Sequence, residues 1–399
     1  MIKKILIFTL LIIYLYTLTF GIFLNSYLRV PSPILFGIPL IALFWQKGRL
    51  LYTKEAIIFF IASFLYYGIG MSDFKSFSVN MIEIIVCLLF FNYFIGKDYQ
   101  RFRLAIIVFY CLLAFSTGVL FTSHLNASFG IELRTRLLGS EIFQSPSGMA
   151  ANIFTFGYQL APLVSFLFVA SIVYEKSWLT KAIVMFACLI AIFLGLQRSV
   201  LVTFGISSTL FLIGYYKYKS VLFLAILIVV SILFSTFFLA KSGGEYDNIF
   251  AKNERNSDED RGKLMSENLN IYADYPFGLV FYGKSWSDVI KHNTVFVNGI
   301  TSHNAYLMFF TYLGPFVGIG LLVLFYRKII SCFIVSLNNI YNIDSRLLVC
   351  LCFSFMGVSL NALFHNAWLL NANGPTIFIY FAVIHLYNLQ SEEETINAH

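Results

Sequence analysis

The sequence predicts an all-α protein that crosses a membrane many times, and three observations support this fold class. Hydrophobic residues make up 59% of the chain and charged residues only 12%, whereas soluble domains carry about 25% charged residues. The mean hydropathy is +0.80. Apolar stretches of about 20 residues, the length that an α-helix needs to cross a bilayer, recur along the whole chain. We therefore expect a polytopic bundle of transmembrane helices.

The apolar stretches predict about twelve membrane helices. Their expected ranges are 5–24, 32–46, 55–71, 77–96, 103–121, 148–173, 180–196, 199–215, 219–240, 303–325, 346–366 and 372–389. The first resembles a signal peptide, because two lysines precede it. Its apolar run is long for a signal peptide, however, and no cleavage site of small residues follows. We expect it to be a retained first helix.

The distribution of lysine and arginine predicts the orientation of these helices, since basic residues favour the cytoplasmic side. With the N-terminus inside, every inner connection is basic, whereas the first two outer connections hold only Arg29 and Lys75. Both termini are then cytoplasmic. The expected organisation is helices 1–9 in residues 1–240, one large outer loop in 241–302, and helices 10–12 with a cytoplasmic tail in 303–399.

The large outer loop contains a stretch that starts polar and then becomes periodic. Leu264, Leu269 and Ile271 fall near helical spacing. Pro276 and Gly278 follow, and both residues favour the end of a helix. The sequence predicts a short helix here, packed on the membrane domain.

Four arginines on the predicted outer side are candidate ligands for an anion. Arg198 lies at the outer boundary between two apolar segments, where it either extends towards the interface or faces a cavity. In a cavity, its planar guanidinium suits bidentate binding of a phosphate or diphosphate. Arg261, Arg134 and Arg136 lie in outer loops and, taken singly, are equally consistent with solvated charges. Together the four form a basic surface that suits an anionic lipid headgroup.

His303 lies where the polar outer loop meets the tenth apolar segment. It is either a structural residue beside the helix N-terminus, with Ser302 the expected N-cap, or a general base. A helix N-terminus disfavours the imidazolium, which would lower the pKa of the ring and keep it able to accept a proton. Asn304 is a candidate for orienting a ligand or the ring. His292 has weaker support, and His385 lacks a comparable setting.

Other chemistries find little support in the sequence. The six cysteines lie in or beside apolar runs, which favours buried thiols. The chain has no Gly-rich nucleotide loop, no H-E-x-x-H and no G-x-S-x-G. Consecutive acids such as those at 258–260 rarely converge on one metal ion, so we expect no metal site. We also expect no cofactor and no nucleic-acid partner. Glu83 is either a functional intramembrane carboxylate or a hydrated residue near the outer helix end.

Three stretches, "LGLQRSVLV", "DRGKLMSENLNIYADYPFGLVFYG" and "SHNAYLMFFTYLGPFVGIG", occur in this order on the predicted outer side. They resemble motifs of the O-antigen polymerase and O-antigen ligase superfamily: an arginine at a helix start, a loop arginine followed by a Pro-x-Gly-like segment, and a His-Asn pair with glycines downstream. The resemblance extends to about twelve helices with one large late periplasmic loop.

The resemblance implies metal-independent transfer of a glycan from a polyprenyl-diphosphate donor at the periplasmic face of a bacterial inner membrane. It implies that Arg198 and Arg261 bind the diphosphate and that His303 is the base. A polymerase would add the glycan to another lipid-linked repeat unit and could work with a chain-length regulator protein. A ligase would add it to lipid A-core. We favour the polymerase; a flippase or other transporter of lipid-linked oligosaccharide is the alternative from another class.

Overall fold

The chain is helical throughout the part that the computed structural model describes. The described residues are 2–20, 32–45, 50–125, 132, 152–195, 198–239, 259–296, 301–365, 370 and 375–397. Within these ranges every regular element is a helix, which confirms the all-α class.

Helical backbone lies within each of the twelve predicted segments. The helices of the first half are α1 (Ile2–Phe20), α2 (Ser32–Leu43), α3 (Thr53–Ser63), α4 (Phe74–Leu89), α5 (Tyr99–Leu125), α6 (Asn152–Tyr174), α7 (Trp178–Leu194) and α8 (Arg198–Tyr216). Those of the second half are α9 (Ser220–Leu239), α10 (Glu259–Asp274), α11 (Trp286–Ile290), α12 (Ala305–Asn338), α13 (Arg346–Asn361) and α14 (Pro375–Asn397). Helices α3 and α4 continue as π-helical segments, Phe64–Gly70 and Phe90–Ile95.

Five stretches among the described residues are long and apolar enough to cross a membrane. They are Ile2–Thr19, Phe74–Ile95, Tyr99–Val119, Arg198–Ile226 and Ala305–Asn338. Shorter apolar helices include Gln159–Tyr174 and Arg346–Asn361. The chain is therefore a multi-pass membrane protein, and the count of twelve spans stays a prediction.

The short helix predicted in the large loop is confirmed as α10, which begins at Glu259 and ends at Asp274, before Pro276. Its buried face differs in one position from the expected one. Leu264 and Ile271 are buried, but Leu269 is 46% exposed. Asn268 is wholly buried in its place, because it lies four residues after Leu264 and three before Ile271, on the same face of the helix.

Contacts divide the chain into two compact units. Unit 1 contains 1–108, 258–330 and 362–399, and unit 2 contains 109–257 and 331–361. The predicted division into 1–240, 241–302 and 303–399 separates membrane helices from the large outer loop. These contacts do not test it, and it stays a prediction.

The core of unit 1 is built from aromatic rings. The ring centroid of Phe59 lies 5.0 Å from that of Phe325 and 5.4 Å from that of Tyr380. Phe91 lies 5.2 Å from Phe378 and 6.1 Å from Phe381. Tilted and edge-on ring pairs of this kind stabilise a core beyond the area that they bury. They account for part of the high phenylalanine content of the chain.

A buried histidine closes one end of this aromatic core. His385 is 1% exposed, and its Nε2 lies 2.8 Å from the carbonyl oxygen of Gly96. Its Nδ1 forms a short hydrogen bond with the Tyr52 hydroxyl. Because only a protonated Nε2 can donate to the carbonyl, Nδ1 accepts from the phenol. His385 is thus a structural residue whose removal would break both of these hydrogen bonds, so it is a poor control for tests of other histidines.

Unit 2 depends on close approach of α6 and α13. A methyl group added to Gly357 would lie 2.7 Å from the Ser165 hydroxyl and 2.9 Å from the Ala161 carbonyl oxygen. Small residues at such a contact let helix backbones approach closely in a membrane. Polar side chains reinforce the contact: the Ser354 hydroxyl accepts from the Tyr110 hydroxyl at 2.6 Å and donates to the Pro162 carbonyl at 3.0 Å.

Helix α12 is longer than predicted and kinked. The predicted segment 303–325 ends before two basic residues, but the helix continues to Asn338. The Nζ of one of those residues, Lys328, lies 3.6 Å from the Glu55 Oε1 of α3. Its charge is therefore paired within unit 1. The kink is at Gly314, which has φ 70° and is followed by Pro315. Proline cannot continue the backbone hydrogen bonding, and the positive φ favours glycine.

At this kink two backbone segments cross in contact. Gly278 has φ 94°, and a methyl group on it would overlap the Gly314 amide nitrogen and lie 2.7 Å from the Tyr312 carbonyl oxygen. A methyl group on Gly314 would overlap the carbonyl group of Phe277. The Pro-x-Gly segment therefore meets the first glycine downstream of His-Asn, which gives a physical reason for a glycine at both Gly278 and Gly314.

Gly314→Ala and Gly278→Ala should each destabilise the protein by about 2 kcal/mol or more, because a left-handed backbone costs an alanine about 1–2 kcal/mol and overpacking adds about 1–3 kcal/mol. Thermal unfolding of the purified protein in detergent measures the effect. The matched control is Gly320→Ala in the same helix, where an added methyl group meets nothing within 4 Å. Equal melting temperatures for Gly314→Ala and Gly320→Ala would contradict the crossing.

Candidate functional site

His303 has an unusual backbone conformation. Its φ is 53°, in the left-handed region that residues other than glycine rarely occupy. A residue held there costs on the order of 1–3 kcal/mol and persists where the surroundings determine its conformation. The side chain is half-buried. The candidate base therefore occupies a backbone position that its neighbours must hold in place.

Asn304, and not Ser302, is the N-cap of α12. Its Oδ1 accepts from the Leu307 amide at 3.0 Å, the hydrogen bond that defines a side-chain cap. The expectation that Ser302 caps the helix is wrong, because the helix begins at Ala305 and Ser302 lies too early in the chain. Asn304 thus fixes the C-terminal side of His303, and its Oδ1 already has a partner.

The hydroxyl of Ser302 is bound by a residue that the sequence reasoning did not single out, Asn268 of α10. The Asn268 Nδ2 donates to Ser302 Oγ at 2.8 Å and lies 2.9 Å from Met308 Sδ. Its Oδ1 accepts from Thr311 Oγ1 at 2.5 Å. The amide is wholly buried, and Ser302 is 5% exposed. Asn268 therefore joins α10 to the residues on both sides of His303.

A backbone hydrogen bond adds a further anchor at the same place. The Ala305 amide donates to the carbonyl of Ala362 at 3.0 Å. This amide belongs to the first turn of α12, where no partner exists within the helix. With the Asn304 cap and the Asn268 side chain, it ties down the residues on both sides of His303. These contacts explain how a histidine can be kept in the left-handed region.

The arginines predicted to bind an anion are placed as follows. Arg261 lies in the first turn of α10, the helix that carries Asn268, and its side chain lies outside the described residues. Arg198 is the first residue of α8 and is half-buried. It belongs to unit 2, whereas Arg261 and His303 belong to unit 1. Arg134 and Arg136 lie outside the described residues.

The described part of the chain includes several buried polar atoms without partners. Three of them, Trp286 Nε1, Tyr312 Oη and Thr301 Oγ1, lie on residues of the same unit as His303. The Trp286 ring lies 6.2 Å from the Tyr312 ring, and Thr301 directly precedes Ser302. Buried tyrosine and tryptophan donors usually have a partner. Buried polar groups of this kind are typically satisfied by ordered water.

Two further residues from the sequence analysis now have clear environments. Glu83 is 1% exposed, and its Oε2 has no partner among the described residues. The reading of Glu83 as a hydrated residue is therefore wrong, because it is buried between helices of unit 1. His292 is exposed, which suits it as a control for His303.

The fold and the site define a class of protein: a multi-pass membrane protein whose candidate base is held at the start of a membrane helix beside an arginine-bearing loop helix. Residues 183–325 match the O-antigen ligase family model. This range contains Arg198, Arg261 and His303, and the match confirms the resemblance to the O-antigen polymerase and ligase superfamily. Residues 183–325 are therefore similar to a family of glycosyltransferase-like enzymes. A comparison with curated proteins finds no significant match.

Asn268→Ala should lower both the stability of the protein and its activity. The change leaves the Thr311 hydroxyl without its acceptor and the Ser302 hydroxyl without its donor, and each such buried loss costs about 1–3 kcal/mol. Thermal unfolding and product formation by the purified protein measure the two effects. Asn270→Ala, on the exposed side of the same helix, is the matched control and should leave both unchanged. An Asn268→Ala protein with the stability of the control would contradict the proposed anchor.

Proposed function

We propose that this protein is a polymerase of O-antigen or a related surface polysaccharide, located in the bacterial inner membrane with both termini cytoplasmic. It would take a glycan from a polyprenyl-diphosphate donor and add it to another lipid-linked repeat unit at the periplasmic face. The supporting observation is His303, held in a left-handed conformation at the start of α12 and tied through Asn268 to the helix of Arg261.

His303 is proposed as the general base of this transfer. Its neutral imidazole accepts the proton of the acceptor hydroxyl, and the hydroxyl oxygen forms a bond to the anomeric carbon of the donor glycan. The bond from that carbon to the diphosphate oxygen breaks, and the polyprenyl diphosphate leaves with the electron pair. General-base assistance of this kind contributes about 10²–10⁴ in rate.

The leaving group carries the negative charge that develops during transfer. Arg198 and Arg261 are proposed to bind it, since guanidinium groups can stabilise a diphosphate without a metal ion. Arg134, Arg136 and the Asn304 side chain are further candidates for substrate binding. The placement of loop 241–302 on the periplasmic side, and an association with a chain-length regulator protein, belong to the same proposal.

A ligase is the second candidate, because the matched family model is described as O-antigen ligase. The match itself does not distinguish a ligase from a polymerase. Polymerase and ligase share the donor and differ in the acceptor, which is lipid A-core for the ligase. No observation in the described part of the chain favours a flippase or another transporter.

The surface glycan of the native bacterium lacking this protein separates the candidates. Core carrying a single repeat unit is expected, because a ligase elsewhere in the cell would still transfer unpolymerised units. Core without any repeat unit would contradict the polymerase and favour the ligase. Restoration of the polymer by the wild-type chain, expressed from a plasmid, is the control.

His303→Asn should reduce turnover on a polyprenyl-diphosphate donor by about 10²–10⁴ while the protein stays folded. Asparagine tolerates the left-handed backbone but cannot accept a proton near neutral pH. His303→Ala and His303→Gln should lose activity as well, and His292→Ala should retain it. Wild-type turnover by folded His303→Asn would show that His303 is not the base.

Arg198→Ala and Arg261→Ala should each reduce turnover by about 10²–10³, the usual effect of removing a group that stabilises developing charge. Arg198→Lys should restore little activity, because an ammonium lacks the planar fork. Lys263→Ala, an exposed change on the helix of Arg261, is the control.

Activity should also persist in excess chelator. Loss of activity in the chelator, with recovery after addition of a divalent ion, would contradict metal independence.

A further inference from the structure

A small crevice lies within unit 2, and its described lining includes none of the residues proposed for transfer. It has a volume of about 60 Å³ and lies among α6, α7, α8 and α9. Phe168, Ile172 and Leu212 form apolar walls, and among the described residues that line it Lys181 carries the one charge. An apolar slot with a single cation suits an amphipathic molecule, with a hydrocarbon part inside and an anionic part beside the lysine.

Aromatic side chains form the rim of the crevice. The rings of Tyr216 and Phe223 are stacked, with centroids 4.0 Å apart, and Trp178 lies 5.9 Å from Phe223. Trp178 is 58% exposed although it is apolar over most of its surface. Exposed tryptophan and tyrosine side chains are typical of the level of lipid headgroups in a membrane protein. The rim therefore indicates that the crevice opens near the membrane–water interface.

Basic residues flank the rim in both connections that meet there. Lys176 precedes Trp178 in the connection from α6 to α7, and Lys217 and Lys219 lie between Tyr216 and Phe223. All three lysines are exposed, and Glu175 is the acidic residue next to Lys176. With Lys181, four lysines lie in these connections and at the start of α7. Clusters of this kind attract anionic lipid headgroups, and basic pockets between membrane helices hold them.

We propose that this crevice binds an anionic phospholipid. One acyl chain lies along the apolar wall formed by α6, α8 and α9, and the phosphate lies beside Lys181 and the turn that carries Lys217 and Lys219. In the predicted topology these connections are cytoplasmic, so the bound lipid belongs to the inner leaflet and differs from the polyprenyl-diphosphate donor proposed for the outer side. The proposal does not depend on the identity of the transfer reaction.

Binding of phosphatidylglycerol and phosphatidylcholine with the same acyl chains to the detergent-purified full chain tests this site. Native mass spectrometry measures the two affinities. We expect the wild-type protein to bind phosphatidylglycerol at least about tenfold more tightly. Lys181→Gln combined with Lys217→Gln and Lys219→Gln should abolish this preference, since each basic residue near the surface contributes about fivefold. Ala182→Leu, which fills the crevice, should weaken binding of both lipids.

Lys3→Gln combined with Lys4→Gln and Lys54→Gln is the matched control, because it removes three exposed lysines of unit 1 that are predicted to lie on the same side of the membrane. It should retain the preference for phosphatidylglycerol. Equal affinity of the wild-type protein for the two lipids would by itself overturn the proposal. A preference that survives the substitutions at 181, 217 and 219, or that is lost equally in the control, would also overturn it.

Discussion

The buried side chain of Asn268 is the contact on which the candidate site of this protein depends. Its amide group donates to Ser302 and accepts from Thr311, so it binds residues before and after His303. A buried amide that is fully hydrogen-bonded specifies one arrangement of its partners, whereas an unpaired one is costly. The left-handed backbone of His303 persists because Asn268 and the Asn304 cap fix the residues next to it.

The same part of unit 1 depends on two glycines that let backbone meet backbone. Gly278 follows α10, and Gly314 forms the kink in α12. Their contact fixes the end of the loop helix against the membrane helix, while Asn268 fixes its middle. Both helices thereby keep a defined position relative to the segment of His303. We infer that the spacing of the asparagine, the glycines and the histidine along the chain reflects one structural requirement: to hold the start of α12 in a single conformation.

Much of this arrangement could be predicted from the sequence. Apolar stretches of bilayer length locate the helices, because burial in lipid requires an uninterrupted apolar run. Pro276 predicts the end of α10 because its ring cannot continue a helix. The arginine and histidine motifs lie within the range that matches the family model, and the roles of their residues stay predictions. In each case the signal is local, and the physical cause acts within a few residues of the chain.

The parts that could not be predicted depend on contacts between distant residues. Asn268 resembles any polar residue of a loop helix until its partners, 34 and 43 residues away, are known. Its one local signal is its place on the face shared by Leu264 and Ile271. Serine and asparagine are both favoured N-cap residues, so residue type does not distinguish Ser302 from Asn304. The position at which α12 begins, Ala305, identifies Asn304 as the cap. The pairing of Lys328 in α12 with Glu55, which lies far away in the chain, likewise has no local signal in the sequence.

Hydrogen–deuterium exchange in the Asn268→Ala protein tests most directly whether this side chain holds the segment of His303. The amides of Ala305 and Leu307 are hydrogen-bonded to Ala362 and to the Asn304 side chain, so they should exchange slowly in the wild-type protein. Peptides that cover residues 301–308 should exchange much faster in the variant, while peptides from α13 and α14 keep their wild-type rates. Unchanged exchange in 301–308 would contradict the account, because the segment would then keep its conformation without Asn268.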